Sequence, residues 1–166
     1  KVLIEKWHGR GRQSYAISPR FAITSTPEQM EAAGTLVREH PDCLVQTHLS
    51  ENHAEIAYAC ELYPEAKDYT DIYARYGLLG PKSLFGHCIH LSERESGAMA
   101  ESGSVAVFCP TSNLFLGSGL FDMARLRGIE AYSNGKFQCH DIDITYPLAW
   151  GAQGVEAKLA SLCAQA

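Results

Sequence analysis

Short apolar runs recur along this chain with ten or more residues of helical character between them, and that alternation limits the fold more than any other feature. "SYAISPRFAIT" holds a strand from Tyr15 to Ile17, stopped at Ser18-Pro19. In "TPEQMEAAGTLVREH", Thr26 can cap a helix, Pro27 fits its first position and Gln29 completes a capping box. Met30, Ala33 and Val37 then follow at helical spacing. "CLVQTHLS" reads as the second strand and "ENHAEIAYACELY" as its helix, and "DYTDIYARYGLLG" predicts a further helix closing near Gly77. "SLFGHCIH" is the third strand, and "SERESGAMAESG" a helix boxed by Ser92 and Glu95 and ended by Gly103. "SVAVFCP" is the fourth strand, which Pro110 prevents from continuing. Strands joined through helices imply right-handed crossovers and a parallel sheet, so the chain is predicted to be α/β.

Parallel α/β proteins build their sites at the C-terminal edge of the sheet. Polar residues gather there on every strand: Arg20 after the first, His48 and Glu51 after the second, His87 after the third, Ser112 and Asn113 after the fourth. His48 and His87 are the natural metal-ligand candidates, because neutral imidazole binds zinc well. Glu51 follows His48 by three residues, close enough to face the same water and move its proton. Each residue also has a plainer reading. A single His is more often structural than a ligand, and Glu after Ser is a common helix start.

Other candidates are weaker. His87 and His90 lie in one predicted strand as H-x-x-H, so they should point to opposite faces and not share an ion. His53 is expected on an exposed helix face, and His8 and His40 in solvated positions. "CHDID" at 139–143 reads as a strand or loop without an assigned role, and "GLLG" and "GSG" as turn glycines that match no phosphate-binding fingerprint.

With 166 residues the chain can bury a real core, and its formal net charge of −5 gives no reason to expect a nucleic acid or an anionic membrane as partner. No stretch approaches the roughly 20 apolar residues of a membrane span, and no secretory signal is visible. The six cysteines, Cys43, Cys60, Cys88, Cys109, Cys139 and Cys163, contain no C-x-x-C pair, which fits a reduced cytoplasmic protein.

"SPRFAITSTPEQM", "QTHLSENHAEIA", "LYPEAKDYTDIYARYGLLG", "LFGHCIHLSERE" and "VFCPTSNLFLGSGLFDM" closely resemble the guanine deaminase family of metal-dependent amidohydrolases, from Lys1 to about Arg127. The resemblance implies a distorted (β/α)₈ barrel and the hydrolysis of guanine to xanthine and ammonia. It implies His48 and His87 as two ligands of one zinc ion per site, a metal that iron could replace. Glu51 resembles the catalytic carboxylate that shuttles a proton. Arg20 and Phe21 resemble the substrate clamp, with His48 and Glu51 also facing the purine, and Ser112-Asn113 the turn beneath the site. A small-molecule substrate and a homodimer are the implied partners. The deaminase signature of H-x-E with P-C-x-x-C is absent.

Several family features are missing. There is no His-x-His pair and no Gly-Thr-Asp strand end, and residues 128–166 depart from the pattern, although "LAWGAQGVEAKL" is faintly similar to a later family helix. Neither Asp141 nor Asp143 can be assigned as the missing ligand. A complete barrel takes roughly 250 residues, so 1–127 is expected to form about half of a TIM barrel, within an internal portion of a longer enzyme. Residues 128–166 are expected to be a divergent tail. Two alternatives stay open: an inactive fragment that acts only by association through its open sheet edges, and a related amidohydrolase deaminase of another purine, a pterin or a triazine.

Overall fold

The computed structural model describes residues 1–122 and residue 126, so the tail over 128–166, with Asp141 and Asp143, lies outside the described residues. Four strands, β1 (Ala16–Ile17), β2 (Leu44–Leu49), β3 (Ser83–His87) and β4 (Val105–Val107), form one sheet in the order β1-β2-β3-β4. Every pair is parallel, with Ala16 opposite Leu44, Val45 opposite Ser83 and Leu84 opposite Val105. Sequential order without a reversal is that of a barrel wall rather than of a doubly wound sheet. The helices are α1 (Val2–Trp7), α2 (Pro27–Glu39), α3 (His53–Leu62), α4 (Tyr69–Arg75), α5 (Glu93–Ser102) and α6 (Pro110–Leu116). None is long and apolar enough to cross a membrane.

Local chemistry explains where the helices begin. The Thr26 hydroxyl accepts from the Gln29 N–H while the Gln29 side chain accepts from the Thr26 N–H, and Ser92 and Glu95 repeat the box on α5. Such caps contribute about 1 kcal/mol each. Gly103 closes α5 in the left-handed region (φ 71°). On α2, Gly34 lies so close to α4's end that a Cβ there would come within 2.1 Å of the Tyr76 carbonyl oxygen. Only a hydrogen fits, and this contact sets how closely α2 packs.

The two faces of the sheet differ. Val45, Thr47, Leu49 and Phe85 are buried beneath the helices, whereas Gln46 on the opposite face is exposed and Leu84 and Gly86 are half-buried. Tyr69, Tyr73 and Phe85 are fully buried and form a ladder of rings, 5.6 Å and then 5.4 Å between centroids. Aromatic pairs of this kind add about 0.5–1.5 kcal/mol beyond the area they bury.

Two sequence expectations need correction. The third strand stops at His87 rather than running to His90, because His87 (φ 73°) and Cys88 (φ 50°) adopt left-handed backbone that cannot continue a ladder. Pro110 does more than end a strand. It occupies the first turn of α6, where its missing N–H costs nothing, so Ser112 and Asn113 are helical and not in a turn.

Candidate active site

The C-terminal ends of β1, β2 and β3 and the segments that follow them bring together Arg20, Phe21, His48, Glu51 and His87, and Asn113 of α6 joins them. His48 is the penultimate residue of β2, and its Nδ1 lies 2.6 Å from the Arg20 carbonyl oxygen. His87 ends β3, and its Nδ1 lies 2.7 Å from Asn113 Oδ1. The two rings are stacked with centroids 5.3 Å apart and 24° between planes. Register alone does not produce this stack. His87 pairs with Leu49, and strict alternation would turn it to Leu49's face, away from His48. The left-handed backbone at His87 breaks the alternation. Such a conformation costs a non-glycine residue on the order of 1–3 kcal/mol and persists only where its surroundings enforce it.

Glu51 follows Ser50, another left-handed residue (φ 51°), so the chain turns sharply off β2 before Asn52 caps α3. Glu51 Oε2 lies 3.6 Å from His87 Nε2, and its Oε1 accepts from the Ser118 hydroxyl at 3.2 Å. One turn further along, Glu55 is buried. Burial pushes its carboxyl upward and the Glu51 charge adds to the rise, both disfavouring a second negative charge beside Glu51, while the Tyr69 hydroxyl works the other way. On the other side, the Arg20 guanidinium is 5.2 Å from the Phe21 ring centroid, and that ring is 5.3 Å from His48's. Arg20, Phe21, His48 and His87 thus follow one another across the mouth of the sheet, with Glu51 at the far end.

The tautomers can be worked out from the partners. The Arg20 carbonyl and Asn113 Oδ1 can only accept, so each His Nδ1 carries the ring hydrogen and each Nε2 keeps a lone pair. This is the arrangement of metal-binding histidines, whose second nitrogen is fixed by an oxygen acceptor. The donor set therefore fits zinc. It supplies two of the three or more protein ligands that a catalytic zinc takes.

Sequence reasoning missed Tyr73. Its hydroxyl donates to the His48 carbonyl oxygen (2.7 Å), accepts from the Ala22 N–H (3.0 Å) and lies 3.2 Å from Thr47 Oγ1. Burial pushes its phenol up to about 12, so it remains a donor at neutral pH. Tyr73 thereby ties the segment carrying Arg20 and Phe21 to the strand carrying His48. Nothing in its spacing announces this, because the contact spans 25 residues.

The remaining histidines fall elsewhere. His90 donates from Nε2 to the Ser118 carbonyl (2.8 Å), and His53, exposed as expected, has its ring 4.0 Å from His90's. His8 and His40 are half-buried rather than solvated, a correction for both. Among the described residues, one group of three ligand-type atoms lies mutually within 4.8 Å: His8, Asp42 and Cys43, at the opposite end of β2 from His48. Its chemistry does not suit a cation. His8 Nδ1 accepts from the Tyr15 N–H, so Nε2 carries the hydrogen that it donates to Asp42 at 2.9 Å, and neither nitrogen is free. Burial, with the Asp42 charge, pushes the Cys43 thiol up and keeps it protonated. The cluster is a hydrogen-bonded tether between α1 and β2.

Comparison with known proteins agrees with this geometry. The amidohydrolase family profile matches residues 2–130. Guanine deaminase of Escherichia coli (strain K12) is 54% identical over 125 residues, covering 75% of this chain and 28% of that protein. The solved E. coli guanine deaminase superposes with a TM-score of 0.77 at 51% identity, over 78% of this chain and 30% of that one. Guanine deaminase from C. acetobutylicum, solved with guanine bound in its active site, gives a TM-score of 0.64 at 36% identity, over 66% of this chain and 26% of that one. The chain spans less than a third of the length of these relatives. A family match over most of its residues and a parallel sheet with the same fold lead to one conclusion: this chain belongs to the amidohydrolase family.

Proposed function

We propose that the complete protein is a zinc-dependent guanine deaminase, converting guanine and water to xanthine and ammonia. One observation carries this reading: His48 and His87 stack with both Nδ1 atoms tied to oxygen acceptors, leaving each Nε2 lone pair available, that of His87 beside the Glu51 carboxylate. The 54% identity to the E. coli guanine deaminase supports guanine over other amidohydrolase substrates. His48 and His87 would hold the metal through Nε2, and iron suits the same donors. When bound, zinc supplies Lewis-acid chemistry that brings the pKa of a water towards neutrality. Glu51 accepts a proton from the attacking water and returns it to the purine, so that the amino group leaves as ammonia. The Arg20 guanidinium offers a planar fork of donors to purine acceptors, and Phe21 packs against the ring.

The expected setting is the cytoplasm, where the thiols of Cys43, Cys60, Cys88 and Cys109 stay free, and the expected assembly is a homodimer. The net charge of −5 speaks against a nucleic acid partner. A second reading, favoured by the sheet face that leaves Gln46 exposed and Leu84 and Gly86 half-buried and by the two-imidazole donor set, is that the 166-residue chain by itself is inactive and acts only by association. Ammonia release from guanine, adenine, a pterin and a triazine, measured on the complete protein and on this chain, tests both. Turnover of guanine well above the others by the complete protein is expected; turnover of another substrate in its place would overturn the assignment.

A further inference from the structure

We infer that Ser118 is a positioning residue that aims the Glu51 carboxylate, an inference that rests on the function proposed above. Ser118 lies 67 residues from Glu51 in sequence, in the turn after α6, and its hydroxyl donates to Glu51 Oε1 at 3.2 Å. That bond fixes the rotation of the carboxylate and leaves Oε2 facing His87 Nε2.

The turn is held independently of the hydroxyl. The Ser118 N–H donates to the Asn113 carbonyl (2.9 Å), and the Ser118 carbonyl accepts from His90 Nε2 (2.8 Å). Gly117 before it is left-handed (φ 67°). Gly119 after it combines φ 130° with a fit so close that a Cβ would meet Ile89 Cγ2 at 3.0 Å. Glycine on both sides lets the backbone thread between the β3–α5 connection and Glu51, so that the serine projects towards the carboxylate. Because backbone bonds and His90 already fix the turn, the hydroxyl is spare for Glu51. The same segment also carries Asn113, whose Oδ1 orients His87. One short piece of chain therefore sets both the carboxylate and a histidine beside it.

The test uses the complete zinc-loaded protein. Ser118→Ala is expected to lower kcat about 10- to 100-fold, the cost of losing a hydrogen bond to a charged group, with KM for guanine, zinc content and melting temperature close to wild type. Ser118→Thr, which keeps a hydroxyl, is expected to recover most of the loss. In a Glu51→Gln background, Ser118→Ala should add little, because both changes act through one carboxylate. Unchanged kcat in Ser118→Ala, or an equal further loss in the Glu51→Gln background, overturns the inference. Crystal structures of wild type and Ser118→Ala need no turnover. A Glu51 carboxylate rotated away from His87 in the variant supports the positioning role even if guanine proves not to be the substrate, and an unmoved carboxylate refutes it.

Discussion

Glu51→Gln is expected to reduce guanine turnover by the complete protein about 10²- to 10⁴-fold, the range that general acid–base groups contribute, while bound zinc stays at the wild-type level. The substitution changes one atom type and little else. Glutamine has nearly the same shape, and its amide oxygen can still accept from the Ser118 hydroxyl that holds Oε1 today. It cannot take a proton from water or return one to a purine. Because Glu51, 3.6 Å from His87 Nε2, is proposed as the proton carrier and not as a ligand, the metal should remain. Steady-state kinetics with metal analysis separates the outcomes. Near-native turnover with zinc bound would remove Glu51 from the chemistry, and loss of zinc together with activity would make it a ligand instead.

His87→Ala should cost heavily in metal binding. Removing the imidazole deletes one Nε2 donor and also the ring stacked 5.3 Å from His48. A loss on the order of 100-fold or more in zinc affinity is expected, since disturbing only an outer partner of a ligand already costs about 10- to 100-fold. Asn113→Ala provides that milder case. It leaves the His87 ring in place but removes the Oδ1 acceptor, 2.7 Å away, that fixes its tautomer. Zinc titration against a competing chelator should rank wild type above Asn113→Ala and Asn113→Ala above His87→Ala. Equal affinities for all three would mean that the metal is held elsewhere.

What the sequence revealed and what it hid follow from how far each interaction reaches. The two capping boxes depend on residues three apart, so Thr26 with Gln29 and Ser92 with Glu95 could be read directly. The parallel order of the strands followed from the helices between them, and the position of Glu51 from the end of β2. His87 was placed on the correct strand, but its face could not be read, because alternation assumes regular backbone and His87 leaves it. Tyr73 stayed hidden since its partners come from two other segments. Ser118 lay inside a glycine pair taken only for a turn, and its target is 67 residues away. His8 read as solvated because its partners, the Tyr15 N–H and Asp42, meet it only after α1 docks beside β2.

Anomalous diffraction at the zinc edge, on crystals of the complete protein, locates the metal without relying on activity. A single strong peak about 2.0–2.1 Å from Nε2 of both His48 and His87, with the Glu51 carboxylate beside it, is the expected result. A peak at His8, Asp42 and Cys43 with none between His48 and His87 would contradict the whole assignment of the site.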